Sequence, residues 1–230
     1  MMIRACAAGV PQPNTMPLRR KRTMEADAER ALDLFREMTV HHGVRPNKEV
    51  YDSLILTCAR RKDHYADALR LLRELVEGDL TQLWPDAYTY NAVLQGSARH
   101  GDLTTARWIL ADMVRSVMAD THRLRRPNED TLAHVFWTYA VYQPPIDRHQ
   151  LQSTEATQSS DAEGHVAEAA PSPTFTHALP QTSSDVLAEA RALMARILAD
   201  QGHDETAAHP LSSVRVSPRL LHAYLAVLTH

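Results

Sequence analysis

Arg60 and Arg99 stand 39 residues apart, at the same point of two similar segments of this 230-residue chain. A repeated guanidinium suits the phosphates of a nucleic-acid backbone, because each one displaces counterions. Late in a helix, the same arginine would equally complement the helix dipole. Both readings fit the spacing. The equivalent residue of the next segment is Val141, so the row breaks there. Other chemistry has less support. The 13 histidines lack the spacing to cysteines or paired carboxylates that a metal site needs, and His41-His42 reads as a solvated helix end. The sequence contains no Gly-rich phosphate loop and no nucleophile motif. Binding is therefore expected rather than catalysis, with no cofactor and no metal.

The elements that would carry these arginines repeat along the chain. Ala28, Ala31, Phe35 and Met38 are spaced 3, 4 and 3 residues apart. The same spacing joins Tyr65, Ala68, Leu72 and Leu75, then Leu103, Ala106, Leu110 and Met113, then Leu187, Ala190, Met194 and Ile197. Each quartet lies on one side of a helix, and its second residue is a small Ala that lets a neighbouring helix approach closely. A second pattern, spaced 3, 1 and 3, comprises Tyr51, Leu54, Ile55 and Cys58, then Tyr90, Val93, Leu94 and Ser97. It recurs at Leu132, Val135, Phe136 and Tyr139, and at Leu221, Tyr224, Leu225 and Leu228. Turn signals separate the two patterns, Lys62-Asp63 in one unit and His100-Gly101-Asp102 in another. Each unit reads as an antiparallel hairpin of a helix A and a helix B. The chain is expected to be an all-α solenoid of such hairpins.

Composition agrees with that class. Apolar residues make up 44% and glycine is scarce at 7, while no apolar run approaches the length of a membrane span. Cys6 and Cys58 make no disulfide framework, and Cys58 falls on a buried stripe, which points to a reduced compartment. Tyr51, Tyr90 and Trp108 lie on or beside the apolar stripes and read as core.

Charge divides the chain. Residues 1–24 carry Arg4, Arg19, Arg20, Lys21 and Arg22 and no acid, the charge pattern of a mitochondrial presequence, although Pro11, Pro13 and Pro17 oppose the required helix. A helix B, from about Glu25 to Thr39, follows with no helix A before it. Residues 25–142 hold the regular repeats. Residues 143–183 shift to Ser, Thr, Gln, Pro, Ala and Glu, with Asp147, Glu155, Asp161, Glu163 and Glu168 against Arg148 alone. That stretch reads as a disordered acidic insertion, tolerable because loop closure costs grow only slowly with length. Residues 184–230 form a further degenerate repeat, with a loop at 202–213 and an unpaired last helix near Leu220 to Thr229.

The connectors resemble those of one repeat family. Gly43-Val44-Arg45-Pro46-Asn47, Trp84-Pro85-Asp86 and Arg126-Pro127-Asn128 each follow a helix B. Pro85-Asp86-Ala87-Tyr88-Thr89-Tyr90-Asn91-Ala92-Val93-Leu94 then runs on to Gly101, Ala106 and Met113, and looks like the pentatricopeptide repeat. Ala31-Leu32-Asp33-Leu34-Phe35-Arg36-Glu37-Met38 is similar to that family's second helix. The tetratricopeptide repeat shares the hairpin geometry but lacks this connector. Tyr51 to Tyr90 is 39 residues and Tyr90 to Leu132 is 42, longer than the family's unit, as in its degenerate mitochondrial members.

The resemblance implies a right-handed superhelix whose A helices line the concave wall and bind single-stranded RNA without catalysis, in organellar processing, stability or translation. It further implies that a base is read by the residue after the helix A aromatic together with the residue closing the connector. In the best unit these are Asn91 and Asn128, a combination favouring a pyrimidine. Asp52 with Asp86 would present two carboxylates that repel phosphate. Ala133 with Ser217 offers little to a base edge, and His222 has no closing partner. The competing expectation is a protein-binding scaffold in a mitochondrial ribosome or translation complex, drawn from the near-neutral charge and the unpaired terminal helices.

Overall fold

The computed structural model describes residues 18–77, 84–119, 125–145, 178–203 and 209–229. Among them are eight helices and no strand: α1 Leu18–Arg36, α2 Lys48–Ala59, α3 Tyr65–Glu77, α4 Ala87–His100, α5 Leu103–Met118, α6 Glu129–Val141, α7 Ser183–Asp200 and α8 Pro218–Leu228. A π-helical turn, Glu37–His41, extends α1. The helix begins at Leu18, earlier than the Glu25 start read from periodicity. No helix of the described residues is long and apolar enough to cross a membrane. Residues 1–17 and 146–177, which include most of the basic start and of the acidic insertion, lie outside the described residues.

The local sequence explains where each helix starts and stops. Asn47, Asp86, Asn128 and Ser217 are the N-caps of α2, α4, α6 and α8, and each side chain accepts from a backbone N–H three residues on. Asp86 with Thr89, and Asn128 with Thr131, complete the reciprocal capping box. Pro218 occupies the first turn of α8, where its missing N–H costs nothing. At the other end of α4, Gly101 takes φ +64°, the left-handed conformation that lets the chain reverse. Asp102 immediately caps α5 by accepting from Thr105 N at 3.1 Å. Two residues thus close the hairpin.

The stripes pack as hairpins. Tyr51, Leu54, Ile55, Cys58, Tyr90, Val93, Leu94, Ser97, Leu132, Val135, Phe136 and Tyr139 are all buried, as are Ala68, Ala106 and Ala190 opposite them. The tyrosine hydroxyls keep partners in the core, as buried polar groups must. Tyr51 donates to Glu74 at 2.7 Å, Tyr90 to Asp112 at 2.6 Å and Tyr139 to Glu189 at 2.9 Å, each tying a helix A to its own helix B. The even-numbered helices pack on one another in sequence, α2 on α4, α4 on α6 and α6 on α8, making one continuous layer. The odd-numbered helices lie against that layer as a second one.

Two readings of the sequence need correction. Trp108 is 42% exposed rather than core. It lines a groove of about 340 Å³ with Leu69, Leu72, Val76 and Arg73 between α3 and α5. In α8 the buried residues are Leu220, Ala223 and Val227, while Leu221 and Leu225 are 44% and 54% exposed. Capped by Ser217, α8 turns the first set toward α6. The second set faces the side that a helix B covers in the other hairpins, and among the described residues no helix covers it.

Flanking groups fix both ends of the insertion. Tyr142 donates to Pro180 O at 3.1 Å, and the buried Arg107 donates to Ala178 O at 3.0 Å. The second loop is partly structured, with Leu211 and Val214 buried and Leu211 N donating to the buried Asp200 at 3.0 Å.

Candidate nucleic-acid interface

Counting from each N-cap puts the candidate residues in rows. Asp52, Asn91, Ala133 and His222 are all fifth residues of their helices; Leu56, Gln95, Trp137 and Ala226 are ninth; Arg60, Arg99 and Val141 are thirteenth. Steps of four keep a side chain on one face, so these rows share one face of the A layer, partly exposed except at the buried Ala133. Asn91 and Gln95 retain partial solvent exposure there between buried neighbours, and Arg99 is exposed.

Asn91 and Asn128 meet. Asn91 Nδ2 donates to Asn128 Oδ1 at 3.1 Å, and Thr131 Oγ1 donates to Asn91 Oδ1 at 2.8 Å. Asn128 Oδ1 also accepts from Thr131 N at 3.0 Å, as the cap of α6. That oxygen is saturated by protein donors, whereas the Asn128 amide nitrogen carries two N–H groups. The pair can therefore offer donors to a base edge rich in acceptors, such as a pyrimidine carbonyl. It also locks α4 to α6. Thr89 and Thr131, which sequence reading passed over, supply the hydroxyl at the same third position in both helices.

Asp52 and Asp86 meet in the same way but behave differently from the expectation. Thr89 Oγ1 donates to Asp52 Oδ1 at 2.6 Å, and Lys48 Nζ sits between the carboxylates, 2.6 Å from Asp52 and 2.8 Å from Asp86. Burial alone would lower the Lys48 pKa, but its hydrogen bonds to Asp52 and Asp86 outweigh it and hold the ammonium above its ordinary value. Burial likewise works against the Asp86 carboxylate, yet Lys48 and the Thr89 N–H bring its pKa below normal. The anticipated double negative charge is thus half neutralised, and Lys48 fills the space between the two side chains. The signal was in the sequence: Lys48 lies four residues before Asp52, one helical turn away.

Ala133 is fully buried and Ser217 donates to Glu129, so neither presents a group to a base. Arg219 pairs with Asp130 beside them. Arg60 caps the C-terminus of α2, and Arg99 Nη1 donates to Ala59 O at 3.4 Å. The dipole reading of Arg99 therefore holds across a helix pair. Burial, and then the like charge of Arg60, lower the Arg99 pKa, so the two guanidiniums lie within Coulombic reach and concentrate positive charge at one end of the A layer.

His134 lies one residue past the fifth-position row on α6. Burial, aided by Arg219 and Arg99, pushes its pKa down to about 4, against the opposing pull of Asp130. An unfolded histidine titrates near 6.5. Between these values the unfolded chain binds more protons, so His134 costs stability as pH falls from about 7 toward 4 and no further below it. Between pH 7 and pH 5, wild type should lose on the order of 1–2 kcal/mol more stability than His134→Gln. Denaturant unfolding of both proteins at the two pH values measures this; parallel losses would contradict it.

Cys58 is buried, and burial followed by Asp67 pushes its thiol up to about 12, so it is no nucleophile. Among the described residues, no group of three His, Cys, Asp or Glu side chains is placed to hold a metal ion.

Residues 88–116 match the PPR repeat family. The chain is 27% identical over 125 residues to the mitochondrial 15S rRNA processing factor CCM1 of Candida tropicalis, covering 54% of this chain and 15% of that protein. It is 34% identical over 93 residues to the CCM1 protein of Yarrowia lipolytica, covering 40% of this chain and 12% of that one. The matched regions are thus a small part of these relatives. No solved structure matches.

Proposed function

Because residues 88–116 are a pentatricopeptide repeat, we propose that the chain binds single-stranded RNA in mitochondrial RNA processing and does so without catalysing a reaction. The observation that carries the reading is the Asn91–Asn128 amide pair, bridged at 3.1 Å across α4 and α6 on the face that also bears Arg60 and Arg99. Asn91 and Asn128 read a base edge, and the two arginines bind phosphate. Asp52 and Asp86, held together by Lys48, line the same wall. They contribute to RNA binding only through this closed, half-neutralised cluster. Two similar proteins whose names describe mitochondrial rRNA processing give the reading its compartment and process.

The test is binding by the full chain. Single-stranded RNA should bind better than duplex RNA, with affinity falling as salt rises. Asn91→Ala should change base preference by about 1 kcal/mol, whereas Arg99→Ala should weaken all sequences alike. No binding, or equal binding to single strand and duplex, would refute the function. Identical behaviour of the two variants would refute the division of roles.

A second reading has one specific support. The apolar groove beside the exposed Trp108, on the opposite layer from the amide pair, fits a protein-binding scaffold. Trp108→Ser would then abolish a protein contact and leave RNA affinity unchanged.

A further inference from the structure

Where α6 meets α8, the wall carries rings instead of amides. Trp137 and His222 lie 5.3 Å apart between ring centroids, edge to face at 76°. His222 is the fifth residue of α8, the register position that Asn91 fills in α4, and Trp137 is the ninth residue of α6, one turn beyond Ala133. Both therefore belong to the rows that hold the amide pair. His222 is exposed, and Trp137 is only partly buried against the core, so ring surface remains open. The residues in the places of Asn91 and Asn128 do not compete with them, since Ala133 is buried and Ser217 is committed to Glu129. Charges of both signs lie near: Arg219 pairs with Asp130, Glu129 accepts from Ser217, and Arg99 and Arg219 both act on His134 of α6.

We propose that Trp137 and His222 form a stacking seat for one nucleobase of the bound strand, a position that demands a base but does not distinguish which. This rests on the RNA-binding reading. Every base has a π-face, so an aromatic seat holds all four with little discrimination, whereas the amide pair at α4–α6 discriminates by its hydrogen bonds. A junction that reads, at α4–α6, is then followed by one that grips, at α6–α8. Arg99, close enough to act on His134 of the helix that carries Trp137, is suited to a phosphate beside the seated base.

The experiment uses the full chain carrying Trp84→Phe and Trp108→Phe, which leaves Trp137 as the sole tryptophan of the three. Adding single-stranded RNA should quench its fluorescence. Trp137→Ala should weaken binding roughly 5- to 100-fold, the range of one lost base stack, by a similar factor for every base sequence. Trp137→Phe should retain most of the affinity, and His222→Ala should fall between. A scan of abasic substitutions should find one nucleotide whose base removal harms wild type but not Trp137→Ala. If wild type binds RNA while Trp137→Ala and His222→Ala, both shown to be helical, bind within twofold of it, the seat is wrong and the RNA reading stands. If wild type binds no single-stranded RNA, both fall.

Discussion

Replacing Gly96 with valine should destabilise the protein by about 3 kcal/mol, measured by denaturant unfolding. A Cβ at this position would stand 2.7 Å from Tyr65 Cδ2 and 3.1 Å from the backbone oxygen of Ala59. The ring cannot retreat easily. Its hydroxyl is hydrogen-bonded to Ser97 Oγ at 2.8 Å and donates to Asp102 at 2.9 Å, and its face stacks on His100 at 4.4 Å. Burial, with Asp102 adding to it, also holds the Tyr65 phenol well above its ordinary pKa. Gly96→Ala should cost less, because alanine recovers about 1 kcal/mol of helix propensity. A valine variant as stable as wild type would mean that α3 can slide away from α4. The close approach described here would then be dispensable.

Phe136→Ala should cost about 3–5 kcal/mol. Its side chain is fully buried and meets Tyr224 edge to face at 5.4 Å, linking α6 to α8. The loss should be localised, with faster hydrogen exchange in Leu220–Val227 than in α4. Because no helix covers the outer side of α8 among the described residues, α6 supplies most of its packing. A loss below 1 kcal/mol, or exchange that rises uniformly, would contradict that account.

Much of this architecture is legible in one dimension. Helical periodicity reports which face of a helix is buried, so the stripes from Tyr51 to Tyr139 and the reversal at Gly101 follow from spacing and composition. Periodicity does not report which neighbour covers that face. Leu221 and Leu225 fit the stripe and remain exposed, since no helix among the described residues covers them. Trp108 sits beside the α5 stripe, but the gap between α3 and α5 leaves it open. The site was half legible for the same reason. Connector and helix start point to Asn91 and Asn128, yet the bonds from Thr131 to Asn91, from Thr89 to Asp52 and from Lys48 to Asp86 join residues 37–40 positions apart, beyond any local pattern. Gly96 left a clue, an interior helix glycine, without naming the tyrosine that requires it.

In the proposed reading, Asn128 serves both as a recognition group and as the cap that begins the next helix. The alphabet available to the array is thereby restricted. Any substitute at Asn128 must still accept a bond from Thr131, which confines replacements largely to Asp, Ser and Thr, with Ala costing roughly 1 kcal/mol of helix stability. Retargeting such a protein is therefore never a matter of recognition alone: each new letter is also a new fastening between modules, and the tolerance of the fold decides which messages can be spelled.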